Sequence, residues 1–518
     1  MAVPIGDLVV QADVMVVGAG LALVALALRL VIHAGTTPSG VDTWYYLASA
    51  DAFRRTRRFP ISLPQYLLQD RTESYAPGFP LLLALLPSAF LRKRFWLISP
   101  IIDALHLLLL YAVVYRLTED IVTAAVAGAI YAVVPQLIAE TRSLNPRALG
   151  SLLASVSMLT LLRFTLPDDV AASLRLGGSP ALVAVLAVLA IAALLLTAST
   201  SGIALGVAAV ALTIVYGDPR YILFLVGGAI TAFVVTRGFY ASVLMNHAHA
   251  VRFWVRNVRF RGAEQVMDSP LYGVSGRRTV RRTRWRSLPW QFVRLVGENP
   301  FVIPMILTPL PSSEWWGEHM YWWAIAVLVW AFLTTAVPPL RVLGPGYIYL
   351  KASIFPTAFS LALAIGPRGL ALPFIPLVLG AAVMSLAAIA FFVVYTRTRT
   401  TERTSSAPPE LEKMAASLPA LPLDGLLVLP AMYADYVCYH SGKRTLWGGH
   451  SGDLTRFEAI FPVIRRPLEE LIAQYDLHYV LLDLSYVTPE RLRLDRSLEE
   501  IQREGAFVLY RTRRAATG

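Results

Sequence analysis

Long apolar runs recur along the chain, at 21–32, 97–115, 121–138, 181–196 and 370–395, each with at most one Asp, Glu, Lys or Arg. In hydrocarbon every backbone N–H and C=O must be bonded within its own segment, so runs near 20 residues read as spanning helices. The same reading gives a first helix over 14–33 and others near 96–115, 121–139, 149–165, 181–198, 202–217, 220–236, 300–311, 319–337, 350–366 and 369–395. The chain therefore reads as an α-helical polytopic membrane protein of about eleven spans. The connections at 116–120 and 217–219 are tight, which makes their neighbours antiparallel pairs.

Two stretches break this rhythm. Tyr75-Ala-Pro-Gly-Phe-Pro-Leu-Leu-Leu-Ala-Leu-Leu-Pro87 is apolar but too short to span, and suits a juxtamembrane helix near 76–91, anchored by Arg92-Lys93-Arg94. Beyond 398 the period changes. Residues 425–430, 479–484 and 506–511 read as strands, and 465–475 and 498–504 as amphipathic helices, the signature of a small α/β domain. The division expected is a transmembrane domain over 1–398 with outer loops 35–95 and 237–299, a linker over 399–421, and a C-terminal soluble α/β domain over 422–518.

Composition agrees. Of 518 residues 56% are hydrophobic and only 15% charged, with mean hydropathy +0.57, which excludes an ordinary soluble globular chain. The first run lacks a basic n-region and reads as a retained helix rather than a cleaved signal. A single cysteine, Cys438, excludes an intramolecular disulfide. The net charge of +12 is nearly all arginine, since only Lys93, Lys351, Lys413 and Lys443 are lysines. Such a surplus suits membrane lipid headgroups or a phosphate-bearing ligand, not nucleic acid, and Arg offers forked contacts to phosphate. Arg-rich codon usage accounts for it equally well.

Candidate chemistry begins at Val41-Asp-Thr-Trp-Tyr-Tyr-Leu-Ala-Ser-Ala-Asp51. Asp42, just past the first helix, is placed to act as a general base or a cation ligand, or simply to cap a helix beginning at Thr43. Eleven arginines fall between Arg252 and Arg294, among them Arg277, Arg278, Arg281, Arg282, Arg284 and Arg286. They read either as a clamp on a phosphate or as a headgroup-binding face, with Trp285 and Trp290 as anchors. Arg341 and Lys351 flank Tyr347-Ile-Tyr349 and are comparable phosphate ligands. His247 and His249 lack further ligands at zinc spacing.

The first helix, Asp42 with Tyr45 and Asp51, and Tyr75-Ala-Pro-Gly-Phe-Pro80 together resemble the start of the GT-C superfamily of membrane glycosyltransferases. The likeness continues through Glu140-Thr-Arg-Ser-Leu-Asn-Pro-Arg147, Leu343-Gly-Pro-Gly-Tyr-Ile-Tyr-Leu350, Trp447-Gly-Gly-His450 and His478-Tyr-Val-Leu-Leu-Asp483. The resemblance implies inverting transfer of a hexosyl or pentosyl group from a polyprenyl-phosphate sugar donor. The acceptor would be a lipid, glycan or protein at the outer face of the cell membrane, with the C-terminal domain extracytoplasmic. Carried over by position, Asp42 becomes the catalytic acid, with a divalent cation, magnesium or manganese, as an option there. Tyr45, Asp51, Tyr75, Glu140, Arg142, Asn145, Arg147, Arg341, Tyr347 and Lys351 would bind substrate.

The departures are informative. Asn145-Pro-Arg147 stands where oligosaccharyltransferases have Asp-x-Asp, and no Trp-Trp-Asp follows residue 410, which argues against oligosaccharide transfer to asparagine and against a metal. Five arginines by residue 71 oppose the family orientation on the positive-inside rule; the resemblance is given precedence. Two other classes stay open. A lipid-linked sugar transporter would show inverted halves with charges mid-helix, and Asp103 and His106 do share one span. A non-catalytic GT-C-like scaffold is the other.

Overall fold

The computed structural model describes residues 5–31, 41–68, 75–165, 179–260, 265–273, 288–308, 315–366, 374–398, 407–448 and 454–513. The chain divides into two compact units. The first takes Met1–Thr36, Arg94–Gly238 and Arg284–Arg399; the second takes Thr37–Lys93, Phe239–Thr283 and Thr400–Gly518.

The first unit is a helical bundle. Among the described residues seven helices are long and apolar enough to cross a membrane, or eight if a bent pair counts as one span. They include Ala12–Val31, Arg147–Thr165, Ser199–Tyr216, Trp315–Ala336 and Tyr347–Ile365. Ile121–Ala132 and Pro180–Leu195 are shorter apolar helices. The run at 121–139 is not one helix. Pro135 has no N–H and biases Val134 to an extended backbone (ψ 119°), so a second helix, Pro135–Glu140, starts afresh. The 300–311 element is likewise short, Val302–Leu307. Leu23, Ile214, Val235 and Phe391 leave well over half their surface uncovered, as lipid-facing side chains do.

Charge is nevertheless buried inside this bundle. Arg29 Nε donates to Asp103 at 2.5 Å, and both side chains are fully buried. Arg29 Nη1 donates to the carbonyls of Ala25 and Ala132 at 3.0 and 2.9 Å. The Tyr131 hydroxyl donates to Asp103 at 2.9 Å and lies 2.8 Å from His106 Nδ1, and His106 Nε2 lies 2.8 Å from Ser155 Oγ. With its one proton given to Asp103, the Tyr131 oxygen accepts from Nδ1–H, so Nε2 accepts from Ser155. The network joins helices Ile5–Val31, Ile98–Thr118, Ile121–Ala132 and Arg147–Thr165.

The second unit is built on a four-stranded sheet: β1 (Leu426–Leu429), β2 (Tyr479–Asp483), β3 (Leu498–Glu504) and β4 (Phe507–Thr512), in the order β1-β2-β4-β3. β1 and β2 are parallel; β4 is antiparallel to β2 and β3. Alternation on these strands sends Leu427, Leu429, Val480, Leu482, Val508 and Tyr510 to one face and Leu426, Val428, Tyr479, Leu481, Phe507 and Leu509 to the other. The second face is covered by helix Pro409–Ser417 through Leu411, Met414 and Ala415. Residues 407–421, expected as linker, are thus packed structure. The expected helix at 498–504 is strand β3, because Gly505 (φ +58°) turns the chain back onto β4 and the pairing overrides a helix-like pattern.

Described parts of the two stretches expected as outer loops are packed structure. Leu67 N and Leu68 N donate to the carbonyls of Thr445 and Leu446 at 2.9 and 3.0 Å, tying the first loop to the sheet. Gln265 and Ser269 donate to the Ile460 and Ile464 carbonyls, each at 2.6 Å. The 237–299 stretch contains helices Phe239–Asn257 and Leu288–Glu298 rather than open loop.

Candidate functional site

Asp42 lies in the first turn of helix Val41–Thr56, inside the helix rather than at a cap before it. A carboxylate in a first turn is favoured by the positive end of the helix dipole. Tyr46 follows one turn on, and a box of rings surrounds this face. Tyr45 and Tyr46 are almost fully buried and edge-on to each other at 5.2 Å, and Phe79 stands edge-on to Tyr46 at 5.3 Å. Tyr75 lies 6.2 Å from Tyr45 and 6.5 Å from Tyr46. Burial, then the neighbouring Tyr75, Asp42 and Tyr45, push the Tyr46 phenol well above its ordinary pKa, so it remains a neutral donor. His247 is stacked on Tyr75 at 6.5 Å and its Nδ1 donates to the Val243 carbonyl at 2.6 Å, so Nε2 is the nitrogen that accepts.

Asp51 does not share this face. Nine residues at about 100° each put it roughly half a turn round the helix from Asp42. There it pairs with Arg54 at 2.7 Å and accepts from the Tyr439 hydroxyl at 3.3 Å. Burial and then Asp51 raise the Tyr439 phenol to about 12. Arg54 in turn donates to the carbonyls of Leu83, Ala84 and Leu86, closing the end of helix Gly78–Leu85. Trp44, on this same side, meets Tyr436, Tyr439 and His440 of helix Ala434–Ser441. Asp51 therefore ties helix Val41–Thr56 to Tyr439 and pairs with Arg54 on the same helix. The juxtamembrane segment itself is two helices, Gly78–Leu85 and Ser88–Arg94, separated at Pro87.

In the first unit, Glu140, Arg147 and Lys351 converge. Glu140, at the end of Pro135–Glu140, has 7% of its side chain exposed and Lys351 has 3%; their charged atoms are 3.3 Å apart. Arg147 approaches the other Glu140 oxygen at 3.8 Å. Neither carboxylate oxygen has a hydrogen-bond partner among the described residues. Arg142, in the same turn, buries Nε and Nη2 without a partner there, and burial lowers its pKa. A guanidinium dried out in this way is set up for an acceptor.

Lys351 is positioned by the Gly344-Pro345-Gly346 turn. Gly344 has φ +127°, a backbone that side-chain-bearing residues avoid, and a Cβ at Gly346 would collide with the Ala331 carbonyl. That close approach packs the turn onto span Trp315–Ala336. The Tyr347 carbonyl accepts from Gln136, and its ring lies 5.1 Å beneath the Arg294 guanidinium. Arg341 Nε donates to the Thr335 carbonyl at 2.9 Å, a helix-end contact. Asn145 buckles the Glu140–Arg147 turn: its Nδ2 donates to Glu140 O and Ser143 Oγ while its Oδ1 accepts from Arg147 N. Glu298 borders the cluster; burial and Glu140 raise its pKa against the opposing pull of Arg294.

Sequence reasoning missed Gln136, Arg294, Glu298, Tyr46 and His247 as members of these neighbourhoods; only an isolated Gln or Glu near a helix end hinted at them. The arginines at 277–286 and His450 lie outside the described residues. Among the described residues no three or more His, Cys, Asp or Glu side chains group to hold a metal.

No family model and no curated protein matches the chain. Solved structures do. ArnT from Cupriavidus metallidurans bound to undecaprenyl phosphate is 15% identical, with TM-score 0.61 over 97% of this chain and 99% of that one. Its apo state gives 0.60 at 15% identity over 97% and 98%. The archaeal oligosaccharyltransferase AglB from Archaeoglobus fulgidus, in complex with an inhibitory peptide and a dolichol-phosphate, is 13% identical, with TM-score 0.55 over 97% and 74%. At such identities the likeness is one of fold alone: the chain shares the fold of ArnT and AglB.

Proposed function

We propose that this protein is a membrane glycosyltransferase that moves a sugar from a polyprenyl-phosphate donor to an acceptor at the outer membrane face. The observation that carries the reading is the convergence of buried Lys351 and half-buried Arg147 on Glu140, with Arg142 in the next turn, in a bundle whose fold is shared with a protein bound to undecaprenyl phosphate. Cations held at low dielectric stabilise charge that develops on a departing phosphate far better than cations in water. The bond from the sugar's anomeric carbon to the phosphate oxygen breaks, the acceptor oxygen bonds to that carbon, and the polyprenyl phosphate keeps the electron pair.

The acceptor hydroxyl must also lose a proton, and Asp42 is assigned that task as general base. Its surrounding phenols, Tyr46 foremost, remain protonated and serve as donors to sugar hydroxyls. Tyr45 and Tyr75 form the walls of that box. The C-terminal domain is assigned to the extracytoplasmic side.

Membranes containing the protein, incubated with a radiolabelled polyprenyl-phosphate sugar, test this. Sugar transfer with release of lipid phosphate is expected, and Asp42→Asn should lower it at least about 100-fold. Undiminished transfer in Asp42→Asn removes that residue from the mechanism. Translocation of an intact donor would make the protein a transporter, and binding without turnover a scaffold.

A further inference from the structure

Glu140 is an awkward residue for a phosphate site. A carboxylate repels the ligand, yet here it sits 93% buried between two of the cations expected to hold that ligand, by the same measure that leaves 7% exposed. Its contacts are loose: 3.3 Å to Lys351 Nζ, 3.8 Å to Arg147 Nη1, and no hydrogen bond on either oxygen among the described residues. A buried ion pair built for stability is close and has its remaining lone pairs satisfied. Asn145 holds the Glu140 backbone carbonyl, so the end of the helix is fixed while the carboxylate is not.

Resting on the reading above, we propose that Glu140 is an internal counter-anion, a stand-in for phosphate that the donor must displace from Lys351 and Arg147. In the empty protein it gives the buried Lys351 ammonium an opposite charge, without which that ammonium would be costly to bury. When a lipid phosphate arrives, its oxygens take over both cations and the carboxylate swings aside. The device competes with any anion at the site, the donor diester and the spent monoester alike. It also lowers product affinity, so that the spent lipid phosphate can leave.

The test is direct binding by the full-length protein in nanodiscs, with undecaprenyl phosphate as the probe. Glu140→Gln removes the competitor and is expected to tighten binding by about tenfold, the equivalent of roughly 1.4 kcal/mol. Its apparent melting temperature without ligand should fall, and its rise on adding the probe should exceed that of the unsubstituted protein. Glu140→Asp keeps the charge but retracts it, and should tighten binding by a smaller factor, which covers failure of Glu140→Gln to fold. Inorganic phosphate at equal concentrations should give no shift; a shift matching the lipid's overturns the lipid assignment. Equal or weaker probe binding in both variants, with the unsubstituted protein binding normally, overturns the stand-in role alone. Absence of probe binding by the unsubstituted protein overturns this inference and the proposed function together.

Discussion

The bundle buries two acid–base pairs that look alike on paper and differ in construction. Arg29 and Asp103 are 2.5 Å apart, fully buried, and tied to two backbone carbonyls, a tyrosine and, through it, a histidine. Glu140 and Lys351 are 3.3 Å apart, nearly as buried, and the carboxylate has no hydrogen bond among the described residues. The first network meets most of its desolvation cost with hydrogen bonds, Arg29 Nη2 alone of that guanidinium lacking a partner among the described residues, and it links four helices; the second pair leaves both carboxylate oxygens without one. The contrast separates charge that holds the fold from the charge proposed to hold a lipid phosphate, and it places Asp103 and His106 in a hydrogen-bonded network linking four helices.

The largest effect should come from breaking the first pair. Asp103→Ala leaves the Arg29 guanidinium buried and unpaired and should cost about 3–5 kcal/mol, read as loss of the folded monodisperse protein or a large fall in melting temperature in detergent. Replacing both members of the second pair, Glu140→Gln with Lys351→Met, should change stability by less than about 1 kcal/mol yet weaken undecaprenyl phosphate binding at least tenfold. A similar loss of stability in both experiments would erase the distinction. Tyr131→Phe removes the hydroxyl that joins His106 to Asp103 and should cost about 1 kcal/mol, without altering phosphate affinity.

The smallest effect is a pH dependence. Glu298 has its pKa raised by burial and by Glu140, so the folded state holds its proton more tightly than the unfolded chain. The stability linked to it is fully present below the ordinary glutamate pKa and is lost as pH rises through the raised value. Glu298→Gln should flatten that limb of the melting temperature against pH; an unchanged limb would remove Glu298 from the cluster.

Much of this was legible from the chain. Hydrophobic run length gave the membrane bundle because backbone satisfaction in hydrocarbon leaves little choice of structure. The first-loop acid drew attention because charge beside an apolar run is rarely incidental, whereas the Glu140–Arg147 turn and the Gly344 segment were singled out only by the family resemblance. Misreadings followed from cooperation between distant residues. Leu498–Glu504 has a helix-compatible pattern and becomes a strand only because β4 is there to pair with it. The 407–421 stretch reads as linker until the sheet offers Leu411 and Met414 a face to cover. Asp42 and Asp51 look like partners in sequence and are separated by the helix's own rotation.

By itself, the sequence determined the class of solvent this protein lives in, the number of its long apolar helices to within a few, and which acids and bases were worth suspecting. Those properties depend on composition and on local period. Which suspects act together was decided only by tertiary structure, because an ion pair such as Glu140 with Lys351 is set by how helices pack across two hundred residues of chain, and no local pattern encodes that distance.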